Sequence, residues 1–137
     1  MKKVILLIIV AAVTAFAVSF SLRYFDTSLS HDNLIRVTAP VPGAIVKSPL
    51  MVKGEAIGNW YFEASFPVEL LAGNGKVIAQ VPAQAKGDWM TMDFVPFEAT
   101  LEFSSPTTDS GTLILKKDNP SGLPEYDDSL AISVRFR

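Results

Sequence analysis

The chain has 137 residues, enough for one ordinary domain and an appendage but not for two full domains. It contains no cysteine, which excludes disulfides, thiolate metal ligands, cysteine nucleophiles and a lipid-modified N-terminal cysteine. From position 26 onward nine basic residues face 14 acidic ones, a net charge of −5 that argues against nucleic acid or an anionic membrane surface as partner.

Lys2 and Lys3 precede an uncharged apolar run, residues 4–22, that ends at Arg23. At about 1.5 Å per residue this run makes a helix of roughly 28 Å, close to the hydrocarbon thickness of a bilayer. Residues 1–23 are therefore expected to hold one transmembrane helix, with the positive end in the cytoplasm and the rest of the chain outside. The competing reading is a cleaved signal peptide, cut after Ala15-Phe16-Ala17, which would leave the domain secreted. The apolar run is long for a signal core, which favours the anchor. Residues 24–33 are polar and aperiodic, include the single histidine, His31, and read as a tether.

Residues 34–137 carry period-two alternation and no amphipathic helix. Strands are expected at 34–38, Leu50–Ile57, 68–71, 77–81 and 112–117. Trp60, Phe62, Ala64 and Phe66 form an apolar face opposite Tyr61, Glu63 and Ser65, and Met90, Met92 and Phe94 form another opposite Trp89, Thr91 and Asp93. Ala99, Leu101 and Phe103 point inward from 98–103. Leu130, Ile132, Val134 and Phe136 do so from the last strand. Turn residues separate these runs: Pro40, Pro42 and Gly43, then Pro49, Gly73-Asn74-Gly75, Lys86-Gly87-Asp88 and Thr108-Asp109-Ser110-Gly111. Seven to nine short strands in about 100 residues predict an all-β immunoglobulin-like β-sandwich, with an open barrel as the competing architecture.

Catalytic chemistry finds no constellation. The only histidine lies in the tether, no glycine-rich phosphate loop exists, and carboxylate pairs such as Glu63 with Glu69 are expected by chance. The loop holding Asp118, Asn119, Glu125, Asp127 and Asp128 is stiffened by Pro120, Gly122 and Pro124 and has the oxygen ligands that calcium takes. Its spacing does not match the helix–loop–helix calcium site, and the favoured reading is a structured loop whose side chains cap backbone N–H groups. No metal or cofactor is expected. Trp60 and Phe62 are expected in the core, whereas Trp89 and Tyr61 fall on wetter faces, where aromatic side chains anchor partners.

Four segments then carry a resemblance. They are Val41-Pro42-Gly43-Ala44-Ile45-Val46-Lys47-Ser48-Pro49-Leu50, the stretch from Gly54 through Trp60 to Pro67, the stretch from Gly87 through Met92 to Phe97, and the stretch from Lys117 through Asn119 to Glu125. In this order they resemble the Gmad2 family, the immunoglobulin-like domain of bacterial spore-germination proteins and of many short membrane-anchored proteins. The resemblance implies a bacterial envelope setting, a β-sandwich and no known enzymatic activity. The expected function is a non-enzymatic extracytoplasmic module, presenting Asn59, Tyr61, Trp89 and the Asp118, Asn119, Glu125, Asp127 and Asp128 loop to an envelope protein or wall polymer. A self-associating structural spacer and a glycan- or peptidoglycan-binding accessory domain are the alternatives.

Overall fold

In the computed structural model, which describes residues 31–137, the alternating segments become seven strands. These are β1 (Ile35–Ala39), β2 (Leu50–Ile57), β3 (Ser65–Ala72), β4 (Val77–Ala85), β5 (Phe94–Leu101), β6 (Ser110–Lys116) and β7 (Ser129–Arg135). Two short 3-10 turns, Gly58–Trp60 and Pro124–Tyr126, complete the regular structure. The expected anchor at 4–22 and the tether up to Ser30 lie outside the described residues. Among the described residues no helix is long and apolar enough to cross a membrane.

The strands form one antiparallel ladder in the order β1-β2-β5-β4-β3-β6-β7. β4 is the corner. It runs along β3 for nearly its whole length but pairs with β5 only at its end, through Gln84↔Glu98 and Ala85↔Phe97. The ladder therefore folds over there, bringing β1-β2-β5 against β3-β6-β7 as a sandwich whose inward side chains share one core. At the other seam the chain leaving β1 crosses to β7. Gly43 N–H donates to Ser133 O at 2.7 Å, Val46 N–H to Arg135 O at 2.8 Å, and Arg135 N–H back to Ala44 O at 2.8 Å. These bonds cover part of an otherwise unpaired edge.

Asn33–Arg137 is a compact unit with its own core. Phe66 sits at its centre, edge-on to Phe97 at 4.9 Å and to Tyr61 at 5.2 Å between ring centroids. Alternation is realised cleanly in β2, which buries Leu50, Val52 and Ala56 and exposes Met51 and Lys53. The β3–β4 hairpin closes at Gly73-Asn74-Gly75 as expected: Gly75 takes φ +84°, Gly75 N–H donates to Ala72 O, and Asn74 Oδ1 accepts from Lys76 N–H at 3.0 Å. Ala99 and Leu101 point inward from β5, and Ile132 and Val134 from β7.

Two expected strands are corrected. Residues 60–66 are not one strand, because the chain makes a 3-10 turn through Trp60 and then takes positive φ at Glu63 and Ala64 before β3 begins. Trp60 is buried as expected, but Phe62 is 41% exposed and Tyr61 only 3% exposed, the reverse of the expected faces. Residues 90–93 are likewise irregular. Asp88 Oδ1 accepts from Met90 N–H, and Thr91 Oγ1 accepts from Asp93 N–H. These local side-chain bonds divert the backbone from the ladder. Met90 and Met92 consequently stand in solvent, 77% and 78% exposed, while Trp89 is half-buried against the core.

Candidate functional site

Strict antiparallel alternation decides which connections share an end. The β2–β3, β4–β5 and β6–β7 connections all emerge at one end of the sandwich, and the β1–β2, β3–β4 and β5–β6 connections at the other. The first three converge on an open cleft of about 770 Å³. Gly58, Asn59, Tyr61 and Phe62 form one wall. Trp89, Met90, Thr91 and Met92 form the second, and residues 117–121 with Tyr126 the third.

Each wall is fixed by backbone contacts. Gly58 N–H donates to Asp93 O at 3.3 Å, and the carbonyl oxygens of Trp89 and Thr91 lie where a Cβ on residue 58 would sit. Only glycine permits the second loop to close this tightly on the first. Asp118 N–H donates to Trp60 O at 3.0 Å, tying the third loop to the 3-10 turn. Tyr61 forms the floor, with its hydroxyl donating to Val95 O at 2.6 Å. Burial pushes that hydroxyl well above its ordinary pKa, since the phenolate would lose its hydration there.

The third loop organises itself around Asn119. Its Nδ2 donates to Leu123 O at 2.8 Å and to Asp127 Oδ1 at 2.7 Å, while its Oδ1 accepts from Ser121 Oγ. Ser121 Oγ in turn accepts from Leu123 N–H, and Asp128 Oδ1 from Ser129 N–H. Of the loop's Asp and Asn side chains, Asp128 caps a backbone N–H as expected, while Asn119 and Asp127 bond to each other and to loop groups other than backbone N–H. Among the described residues no three His, Asp or Glu side chains come together as metal ligands would.

Of the residues singled out from the sequence, Asn59, Tyr61, Trp89, Asp118 and Asn119 line this one cleft. Asp127 and Asp128 line a separate depression beside Lys116 and Lys117, and Glu125 is exposed in the second 3-10 turn, lining neither. Tyr61 and Trp89, expected on wet faces, offer floor and flank rather than projecting rings. The most prominent apolar groups are ones that sequence reasoning had placed in the core: Phe62, Met90 and Met92. Tyr126, 53% exposed, joins them. The signal that was there to be read is the pairing of Asp88 with Met90 and of Thr91 with Asp93, since Asp and Thr at that offset favour local turns over strand.

An antiparallel two-layer sandwich of seven strands, with its connecting loops gathered at the two ends, is an immunoglobulin-like domain. The family model for Gmad2, the immunoglobulin-like domain of bacterial spore germination, matches residues 34–122, and the chain belongs to that family. The match covers β1 to β6 and stops short of β7. No curated protein matches the chain.

Proposed function

We propose that the domain is a non-enzymatic interaction module of the bacterial cell envelope, held outside the cytoplasmic membrane and docking a protein or wall-polymer partner in the three-loop cleft. The observation that carries this reading is the convergence of three loops on an open cleft rimmed by Met90 and Met92, both exposed by more than three quarters. Exposed apolar side chains gathered at a concave site mark interaction surfaces, and methionine suits them because it repacks readily. The apolar run 4–22 behind Lys2 and Lys3 supports display on the outer side. Binding rather than catalysis is favoured by the cleft's ionisable groups: the Tyr61 hydroxyl is committed to Val95, Lys117 Nζ donates to Tyr126 O at 3.5 Å, and among the described residues Asp118 has no histidine or second carboxylate beside it in the cleft lining.

The cysteine-free sequence makes a clean test. Single Met92→Cys and Asn74→Cys variants, one in the cleft and one at the opposite end, are treated in intact cells with a membrane-impermeant maleimide. The Asn74→Cys variant is expected to label at the same rate in cells and after purification. The Met92→Cys variant is expected to label about tenfold more slowly in cells, where a mostly occupied cleft shields it. No labelling of either in cells would overturn the location. Equal rates for Met92→Cys in cells and in isolation would overturn the docking role.

A further inference from the structure

Charge selects among partners for this cleft. Away from it, most carboxylates are neutralised by neighbours: Glu55 by Arg36, Glu98 by Lys53 and Lys86, Glu69 by Lys116, and Asp109 by Arg137, with exposed Glu102 the exception. The segments that build the cleft follow the opposite rule. Glu63 adjoins Phe62, Asp88 and Asp93 flank the Trp89–Met92 stretch, Asp118 lines the cleft, and Glu125 and Asp127 bracket Tyr126, whereas the cation lining the cleft is Lys117. Among the described residues none of these six forms an ion pair with lysine or arginine. Their hydrogen bonds go to neutral donors: Met90 N–H, Thr91 Oγ1 and Asn119 Nδ2.

We infer that the cleft takes a cationic peptide segment of a partner protein, one in which lysine or arginine flanks a bulky apolar side chain. This rests on the docking role proposed above and names its occupant. The apolar side chain enters between Met90, Met92, Phe62 and Tyr126, while the flanking cations meet the carboxylates of all three loops, which outnumber the lining cation Lys117. An anionic wall polymer or phospholipid surface would meet the same carboxylates as repulsion, so the rim selects against both. The acids also raise the encounter rate of a cationic segment, an effect that weakens with salt.

The probe is a short fluorescein-labelled peptide in which lysines flank one phenylalanine and one leucine, titrated against the full-length chain. Three controls accompany it: the same peptide with glutamate replacing lysine, one with alanine replacing the apolar pair, and vesicles of anionic phospholipid. Binding of the first probe is expected, weakened about tenfold by the combined Glu63→Gln, Asp88→Asn and Asp118→Asn substitutions, which keep one acceptor oxygen at each position but remove three charges. The Met90→Ser, Met92→Ser pair is expected to weaken it about as much, and every control to bind less tightly. Equal binding by the glutamate peptide or by the vesicles would overturn the inference, as would failure of the probe to bind, or indifference of its affinity to both sets of substitutions. If the Met92→Cys variant is shielded in cells while the cationic peptide fails, the docking role stands and the cationic occupant falls. If the shielding is absent as well, both fall.

Discussion

Tyr61→Phe separates the contribution of one buried hydroxyl from that of its ring. The ring stays packed edge-on against Phe66, while the hydrogen bond to Val95 O at 2.6 Å is lost. Removing a buried donor and leaving its acceptor behind costs about 1–2 kcal/mol at neutral pH. Alkaline pH closes the difference. In the folded protein burial keeps the Tyr61 hydroxyl protonated, whereas in the unfolded chain it ionises near the ordinary phenol value of about 10. The folded pKa is the higher, so the hydroxyl's contribution is complete below about pH 10 and is lost as pH rises toward the folded value. Each pH unit above that point removes about 1.4 kcal/mol from the parent beyond whatever both proteins lose together. The stability gap is therefore expected to be constant from pH 7 to about 9.5 and to close near pH 11. Urea unfolding followed by the fluorescence of Trp60 and Trp89 measures it, with a neutral-pH midpoint shift of about 1 M. A gap that persists unchanged to pH 11, or no gap at neutral pH, would refute the buried, neutral, hydrogen-bonded hydroxyl.

Three further outcomes follow from the cleft's construction. Gly58→Ala sets a methyl group against the Trp89 and Thr91 carbonyls and is expected to cost about 1–3 kcal/mol. It should also brighten or shift the half-buried Trp89 emission as the loop is pushed away; an unchanged melting temperature and spectrum would show that the loop does not close on residue 58. The Met90→Ser, Met92→Ser pair touches only exposed side chains and should move stability by less than about 0.5 kcal/mol, so a large drop in thermal midpoint would mean that these methionines are buried. Asn119→Ala removes the donor to Leu123 O and Asp127 Oδ1 and is expected to speed proteolytic cleavage within the third loop several-fold, read by the masses of early fragments. Cleavage at the parent rate would assign the loop's order to something other than Asn119.

Legibility of the fold followed the physics of each segment. β2 matched the expected Leu50–Ile57 because a half-buried strand in the middle of a sheet obeys strict alternation with nothing to compete with it. The β3–β4 hairpin was visible because Gly73-Asn74-Gly75 supplies the positive φ such a turn needs. The two misread stretches fail for a common reason. Trp60 to Phe66 and Met90 to Phe94 alternate apolar and polar residues, yet each contains a competing local preference. The first has Gly58-Asn59 starting a 3-10 turn, and the second has Asp88 and Thr91 bonding backbone N–H groups two residues on. Period two was present without a neighbouring strand to use it. The candidate site was legible in part for the same reason. Asn59, Trp89, Asp118 and Asn119 lie beside turn-forming residues, and the alternating strand directions gathered those turns at one end. Their convergence is a property of strand order, which no local pattern encodes. The exposure of Met90 and Met92 was hidden because an apolar residue at an alternating position reads as core until the strand itself is shown to be absent.

The docking role of the three-loop end is tested most directly by site-specific photocrosslinking in intact cells. A photoreactive amino acid is placed in turn at Asn59, Met90 and Met92 in the cleft and at Val41, Asn74 and Thr107 at the opposite end. One discrete heavier adduct is expected from the cleft positions, absent from the other three and weakened by Glu63→Gln with Asp118→Asn. Equal adducts from both ends, or adducts only between copies of this chain, would contradict the docking role.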